Sequence, residues 1–396
     1  MRISSNISGY ASTFIWLLQS GMIVLLAGIN PNHYTTIDSH YYLESAHNIL
    51  LGRGYSIFQN KQYIWNSTFP PGYPLAIAMV SFLTKTNVLV ASKLVNLIAS
   101  AIWIICLKRR FGNHKATIIA CILLIGSFLK LWVHSWSEPL FLVILFCWTY
   151  HFSQLDTGEN LQKRRILYVF SLGLFLILTR YAGIFIIPIT FIYALICLAR
   201  KEKSKTFLYT ALAFGWAIFF GGYLWVNFNM SDEWFGGGRL GTTIRVIENL
   251  NAFTRGLLNA LLMIRNTDFS TIDILFCLGL MIQVSLLVLI IQQTIRNHLW
   301  QKKSVSIIFH FPIIAIAYLL FLFIIRIFSP FDEPGYRLLS PFSFLILNGI
   351  LLSVHAEKIT NPLKYLLIAF IIASWLNLVP QQGFKMKILT LSNLVK

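Results

Sequence analysis

Glu138, Arg180 and Arg337 stand at the ends of long apolar runs, and Asp38 stands in the polar loop that follows the first of them, at the start of a short helical segment. An ionisable side chain beside hydrocarbon is costly unless it has a partner, so the two acids and the two arginines are the first places to look for chemistry. A carboxylate can take a proton from an attacking hydroxyl, and a guanidinium fork can meet phosphate oxygens two at a time. Simpler roles exist for each. Asp38 can be the N-cap of a helix, where free backbone N–H groups stabilise it by about 0.3 to 1 kcal/mol. Glu138, in Ser137-Glu138-Pro139, fits the first turn of a helix, and the arginines can snorkel to an interface. His40, Glu44 and His47 share a helical face and could chelate a metal, but an i,i+4 pair and surface histidines explain them as well, and no metal ligand is assigned.

The segment Thr36 to Tyr55 must position Asp38. Tyr42, Ala46, Ile49 and Leu50 recur at helical spacing, and Gly52 and Gly54 close the run, which predicts a short amphipathic helix on a membrane surface. After it, Trp65-Asn66-Ser67-Thr68-Phe69-Pro70-Pro71-Gly72-Tyr73-Pro74 stiffens the chain ahead of an apolar run, Leu75 to Leu83, too short to cross a bilayer. That run is expected to be interfacial or re-entrant. Thr179-Arg180-Tyr181 reads as the tip of a helical hairpin.

The whole chain sets the context. Of its 396 residues 57% are hydrophobic and 12% charged, with a mean hydropathy of +0.69, too little polar surface for a soluble globule of this length. Apolar runs long enough to cross a bilayer recur throughout, and helices satisfy their own backbone in lipid. The expected fold is all-α, a polytopic helical bundle of about eleven spans forming one domain over residues 1–396. The spans are placed near 11–29, 88–107, 115–133, 139–155, 166–178, 182–198, 206–227, 273–295, 305–327, 338–354 and 365–379.

The net charge of +18 would suggest nucleic acid in a soluble protein, but its placement argues against that partner. The clusters at 108–110, 163–165, 200–205 and 296–303, and the loop holding Lys358 and Lys364, are separated by pairs of passes. All can share one face, which the charge rule makes cytoplasmic. The opposite face then receives the loop from Asn30 to about Asn87, the corner 135–138, the loop from Met230 to Asn266 and the turn from Ser329 to Arg337. The five cysteines lie in apolar runs and read as small buried hydrophobes.

The order of Asp38, Tyr41 and Tyr42, the Gly52-Arg53-Gly54-Tyr55 helix end, Trp65 and Phe69-Pro70-Pro71-Gly72-Tyr73-Pro74 resembles the GT-C superfamily of polytopic glycosyltransferases. Within it, the chain is most similar to bacterial protein O-mannosyltransferase-like and lipid A aminoarabinose transferase-like enzymes. Trp136-Ser137-Glu138-Pro139, Thr179-Arg180-Tyr181 and Tyr336-Arg337-Leu338-Leu339-Ser340-Pro341 resemble its acidic corner, hairpin tip and late span entry. The resemblance implies inverting transfer of a sugar from a polyprenyl-phosphate-linked donor to a lipid, glycan or protein acceptor. The expected place is the extracytoplasmic side of the plasma membrane, in contact with membrane lipids.

It implies catalytic roles for Asp38 and Glu138, donor-phosphate binding by Arg180 and Arg337, and substrate contacts from Tyr41, Tyr42, Trp65, Tyr73 and Tyr336. A divalent metal is a possible cofactor, and no other is implied. Aminoarabinose-type relatives carry Lys before Pro-Pro; here Phe69 stands there, leaving Lys61 or Arg53 as substitutes at the phosphate. Residues 232–239, rich in Gly and aromatics, could be an acceptor lid or a plain connecting loop. A transporter or flippase of lipid-linked saccharides is the alternative; it would place polar residues and helix breaks at mid-span, where this chain has little beyond Lys93.

Overall fold

The computed structural model describes residues 2–157, 162–236, 244–261, 274–296, 302–329, 331, 333–354 and 361–378. Helices α1 (Arg2–Ile29), α2 (Ile37–Leu50), α3 (Gly72–Thr84), α4 (Val88–Ala120), α5 (Gly126–Val133), α6 (Glu138–Thr157) and α7 (Lys163–Thr179) form the first half. The second holds α8 (Ile186–Ala199), α9 (Lys203–Ser231), α10 (Val246–Leu261), α11 (Ile274–Arg296), α12 (Lys302–Phe328), α13 (Ser340–Ser353) and α14 (Asn361–Leu378). One antiparallel hairpin, β1 (Ser56–Gln59) with β2 (Gln62–Trp65), follows α2.

This is an all-α bundle with the apolar exterior of a multi-pass membrane protein: Phe14, Phe207, Ile218 and Ile274 are each more than 60% exposed, while Trp103, Trp132, Trp148 and Trp216 are wholly buried. Among the described residues five helices are long and apolar enough to span a bilayer, or six if α5 and α6, bent by 114° between them, make one broken span. The expected figure of about eleven also counted elements that are apolar but shorter, such as α13 with its 14 residues, below the ~20 that cross a 30 Å core untilted.

The break at Gly112, whose φ of 81° no other residue type adopts readily, divides α4 just after Lys108-Arg109-Arg110, where a turn was expected. Beyond it, the single helix anticipated over 115–133 is interrupted. A 3-10 turn, Cys121–Leu124, and an extended Ile125 separate α4 from α5. The run of β-branched and leucyl residues there gives period-free hydrophobicity, which hides the break. Arg180 is likewise extended between α7 and a 3-10 turn, Tyr181–Phe185, as the hairpin reading required.

Helix α6 is the ruler of the bundle. Within its 20 residues, Glu138 and Asp156 stand about 27 Å apart along the axis. At the Asp156 end, Lys205 donates to the Asp156 carbonyl at 2.7 Å and Arg165 to that of Gln154 at 3.2 Å. Lys108 reaches Thr13, near the start of the first candidate span. The basic clusters at 108–110, 163–165 and 200–205 therefore gather away from Glu138.

Candidate active site at the Glu138 end

Three corners and one helix start meet at Glu138. The side chain, 1% exposed, is the first residue of α6, where the helix dipole favours an anion. Its Oε1 accepts from Arg337 Nε at 2.5 Å and pairs with Arg180. Arg337 Nη1 also pairs with Asp38 Oδ2 at 2.6 Å. One guanidinium thus bridges both acids. Burial works against the charge on Arg337, but Glu138, Tyr42 and Asp38 outweigh it and raise its pKa, so the bridge stays charged.

Asp38 differs from Glu138 in exposure, 31% against 1%. Its helix is not capped by it: Thr36 holds the N-cap position of α2, with Asp38 in the first turn. This corrects the N-cap reading, and the cause is visible in Thr36, whose hydroxyl instead accepts from Trp136 Nε1 at 2.8 Å. The carboxylate is thereby left to Arg337. At the other end Leu51 is the C-cap and Gly52 follows at φ +73°, as the glycine pattern anticipated.

Trp136 is held between a guanidinium and an imidazole. Arg337 lies 4.1 Å from its ring centroid and the His134 ring stacks at 3.7 Å and 13°. Two groups at that distance from one centroid cannot share a face, so they occupy opposite faces. Burial, followed by the field of Lys130, Lys93 and Arg337, pushes His134 down to about 4, leaving the ring neutral near pH 7.

Tyr42 is buried beneath this knot, its hydroxyl 3.1 Å from Ser137 Oγ. Burial pushes its phenol up to about 12, with Arg180 pulling the other way. Its ring packs on Phe69 at 4.7 Å and on Tyr73 at 5.2 Å. Tyr73 is wholly buried and bonded to Asn96 at 3.4 Å, so it supports the floor. Gly72 is required at the start of α3, since a Cβ there would lie 2.6 Å from the Leu178 carbonyl. Tyr41 meets Phe69 edge-on at 6.0 Å, and Tyr336 carries Lys130 over its ring at 5.4 Å.

The remaining sequence candidates lie apart from the ion-pair knot. Trp65 donates to Asn227 at 2.8 Å, tying the hairpin to α9. Lys61 sits at the exposed hairpin turn with φ 67°, and the exposed Arg53 stacks on Tyr63 at 4.6 Å. Neither contacts the knot among the described residues: the two-residue turn projects Lys61 outward, and Arg53, in the loop between α2 and β1, packs on Tyr63 of β2. Glu44 accepts from the Phe58 amide at 2.7 Å, anchoring β1. Among the described residues no three His, Cys, Asp or Glu side chains are grouped to hold a metal. The start of the anticipated lid docks on the first loop: Glu233 accepts from Ser67 at 2.8 Å and the Gly236 amide donates to Ser67 O at 3.0 Å. Residues 237–239 of that loop and Asp332 lie outside the described residues.

Two lysines complete the corner and were not singled out for it in the sequence. Lys93 donates to Val133 O at 2.6 Å and Ser135 Oγ at 2.9 Å, and Lys130 lies on Tyr336. Only the mid-span placement of Lys93 in an apolar run signalled it.

No protein-family model matches the sequence, and no curated protein matches it. Among solved structures it is similar to ArnT from Cupriavidus metallidurans. Against the apo state the identity is 13% and the TM-score 0.46, over 84% of this chain and 57% of that one. Against the form bound to undecaprenyl phosphate they are 12% and 0.48, over 89% and 60%. The chain spans about three-fifths of the length of the ArnT structures it matches.

Proposed function

We propose that the chain is a GT-C-type glycosyltransferase that moves a sugar from a polyprenyl-phosphate-linked donor to a lipid, glycan or protein acceptor, with inversion, at the extracytoplasmic face of the plasma membrane. The observation that carries this reading is the partly exposed Asp38 carboxylate held by the same guanidinium that pairs with buried Glu138. Arg337 fixes Oδ2, and Oδ1 makes no hydrogen bond to the described residues. That oxygen is the base: it takes the proton of the acceptor hydroxyl as its oxygen attacks the anomeric carbon. The bond from that carbon to the phosphate oxygen breaks, and the electron pair leaves with the polyprenyl phosphate.

Charge then grows on the phosphate. Arg337 keeps Nη2, and Arg180 keeps Nε and Nη2, as donors beyond those bonded to Asp38, Ser137 and Glu138. Glu138, sealed from solvent, positions both arginines. The basic clusters at the far end of the bundle support an extracytoplasmic site. Asp38→Asn is expected to abolish transfer from polyprenyl-phosphate sugar in isolated membranes, with expression and assembly unchanged. Transfer at the unaltered rate would overturn the reading.

A further inference from the structure

Helices α7 and α9 are clasped at one level and parted at another. Gly173 of α7 lies against Trp216 of α9, so closely that a Cβ there would overlap the indole, and a Cβ at Gly215 would stand 2.9 Å from the Phe170 ring. Trp216 Nε1 donates to the Phe170 carbonyl at 3.0 Å and fixes the clasp. Toward the end that gathers the basic clusters, the same two helices leave a groove. It consists of two adjoining cavities of about 370 and 560 Å³ that share Ile166, Leu208 and Ala211 as walls. Each is within the ~300 to 1,000 Å³ of ordinary ligand clefts. Ala211 offers only a methyl group where a larger side chain would close the space.

The walls and the mouth of the groove differ in chemistry. Leu167 and Phe207, 63% and 78% exposed, are its apolar rims, and α9 is long and apolar enough to span a bilayer, so the groove opens onto hydrocarbon. At the mouth, Lys163 begins α7 and lines one cavity, while Lys203 and Ser204 begin α9 and line the other. Neighbouring cations are already engaged. Lys205 pairs with Glu202 at 3.2 Å, Arg164 donates to the Tyr168 hydroxyl at 3.2 Å and Arg165 to the Gln154 carbonyl at 3.2 Å. Lys163 and Lys203 are exposed and have no acid partner among the described residues, outside which Glu159 lies. Being exposed, they need no anion for their own stability. Their effect is to give an apolar groove a positive rim, the complement of an amphiphile with an anionic head.

We propose that the groove between α7 and α9 binds one anionic phospholipid, with an acyl chain on Ile166, Leu208 and Ala211 and the phosphate between Lys163 and Lys203, where Ser204 can donate its hydroxyl. The charge rule makes this the cytoplasmic leaflet, whose anionic lipids attract Lys and Arg placed at the surface. A zwitterionic lipid fits the walls equally well but brings its own cation to the mouth, so the lysines favour the anionic headgroup. The groove shares no residue with the Glu138 knot and lies toward the opposite end of the bundle, so its occupant is distinct from the sugar donor and does not depend on the glycosyltransferase reading.

Native mass spectrometry of the purified full chain in detergent tests this, titrating phosphatidylglycerol and phosphatidylcholine with identical acyl chains. The parent is expected to bind the first of these lipids more tightly by about fivefold per lysine, roughly 25-fold in all. Joint replacement by Lys163→Gln and Lys203→Gln should reduce the preference to within about twofold, with phosphatidylcholine binding unaltered. Ala211→Phe, and to a smaller degree Ala211→Leu, should weaken both lipids by filling the groove. Lys364→Gln, an exposed lysine on α14, should leave the preference at the parent value. A thermal midpoint equal to the parent's in lipid-free detergent reports that each variant is folded. A preference that survives the double lysine replacement, or one that falls equally in Lys364→Gln, overturns the site in favour of diffuse surface charge. Unaltered phosphatidylglycerol binding in both Ala211 variants overturns it as well, since the groove is then not where the chain lies.

Discussion

Asp38 and Glu138 carry the same charge, and their surroundings assign them different tasks. Glu138 is buried against two guanidinium groups, and breaking a buried pair by removing one partner costs roughly 3 to 5 kcal/mol. Glu138→Gln is therefore expected to lower the thermal midpoint of the detergent-solubilised protein sharply. Asp38→Asn, at a partly exposed pair, should cost less than about 1 kcal/mol. Equal destabilisation by both would remove the distinction drawn between base and anchor. The two acids were legible in the sequence through the order of the motifs around them, Asp38 ahead of Gly52-Arg53-Gly54-Tyr55 and Glu138 within Trp136-Ser137-Glu138-Pro139. The sharing of Arg337 between them was not, since residues 299 apart in sequence meet only through the packing of the whole bundle. Lys93 and Lys130 were harder still, as a long flexible side chain on an apolar helix gives no sign of where its ammonium ends.

At the scale of elements, the connector into α13 is held from outside by α10. Arg326 donates to Asn249 at 2.9 Å and to the Phe331 carbonyl at 3.1 Å, fixing the end of α12 to α10 and to the connector. Gly256 of α10 meets the connector itself: a Cβ at that position would fall 1.9 Å from the Pro334 carbonyl, three residues before Arg337. Gly256→Ala must displace one backbone or the other, and overpacking of this kind costs about 1 to 3 kcal/mol. The expected result is slower sugar transfer together with a lower thermal midpoint. Leu258→Ala, on the 44% exposed side of the same helix, should leave both unchanged. The order of elements could be anticipated from hydrophobic runs and basic clusters, and the α2 helix from its 3.6-residue spacing. The interruption at 121–125 and the two-stranded hairpin could not. The interruption leaves hydrophobicity unchanged, and the strands of the hairpin are only four residues each, so both are set by tertiary contacts that outweigh local propensity.

For the molecule as a whole, the separation of the Glu138 knot from the basic clusters is a statement about sidedness that can be read directly. A reporter inserted after Lys108 should be active only in the cytoplasm, and one after Asn60, at the tip of the hairpin, only outside it. The reverse pattern would put every residue of the site on the wrong face.

The bridge made by Arg337 also sets a timetable for biogenesis. Ribosomes deliver the chain from its N-terminus at about 5 to 20 residues per second, so Asp38 emerges roughly 15 to 60 seconds before its partner. Glu138 and Arg180 are 42 positions apart and can neutralise each other early. The nascent protein therefore passes through a long interval in which the Asp38 carboxylate is untethered, and the knot closes only when the last third of the bundle has been inserted.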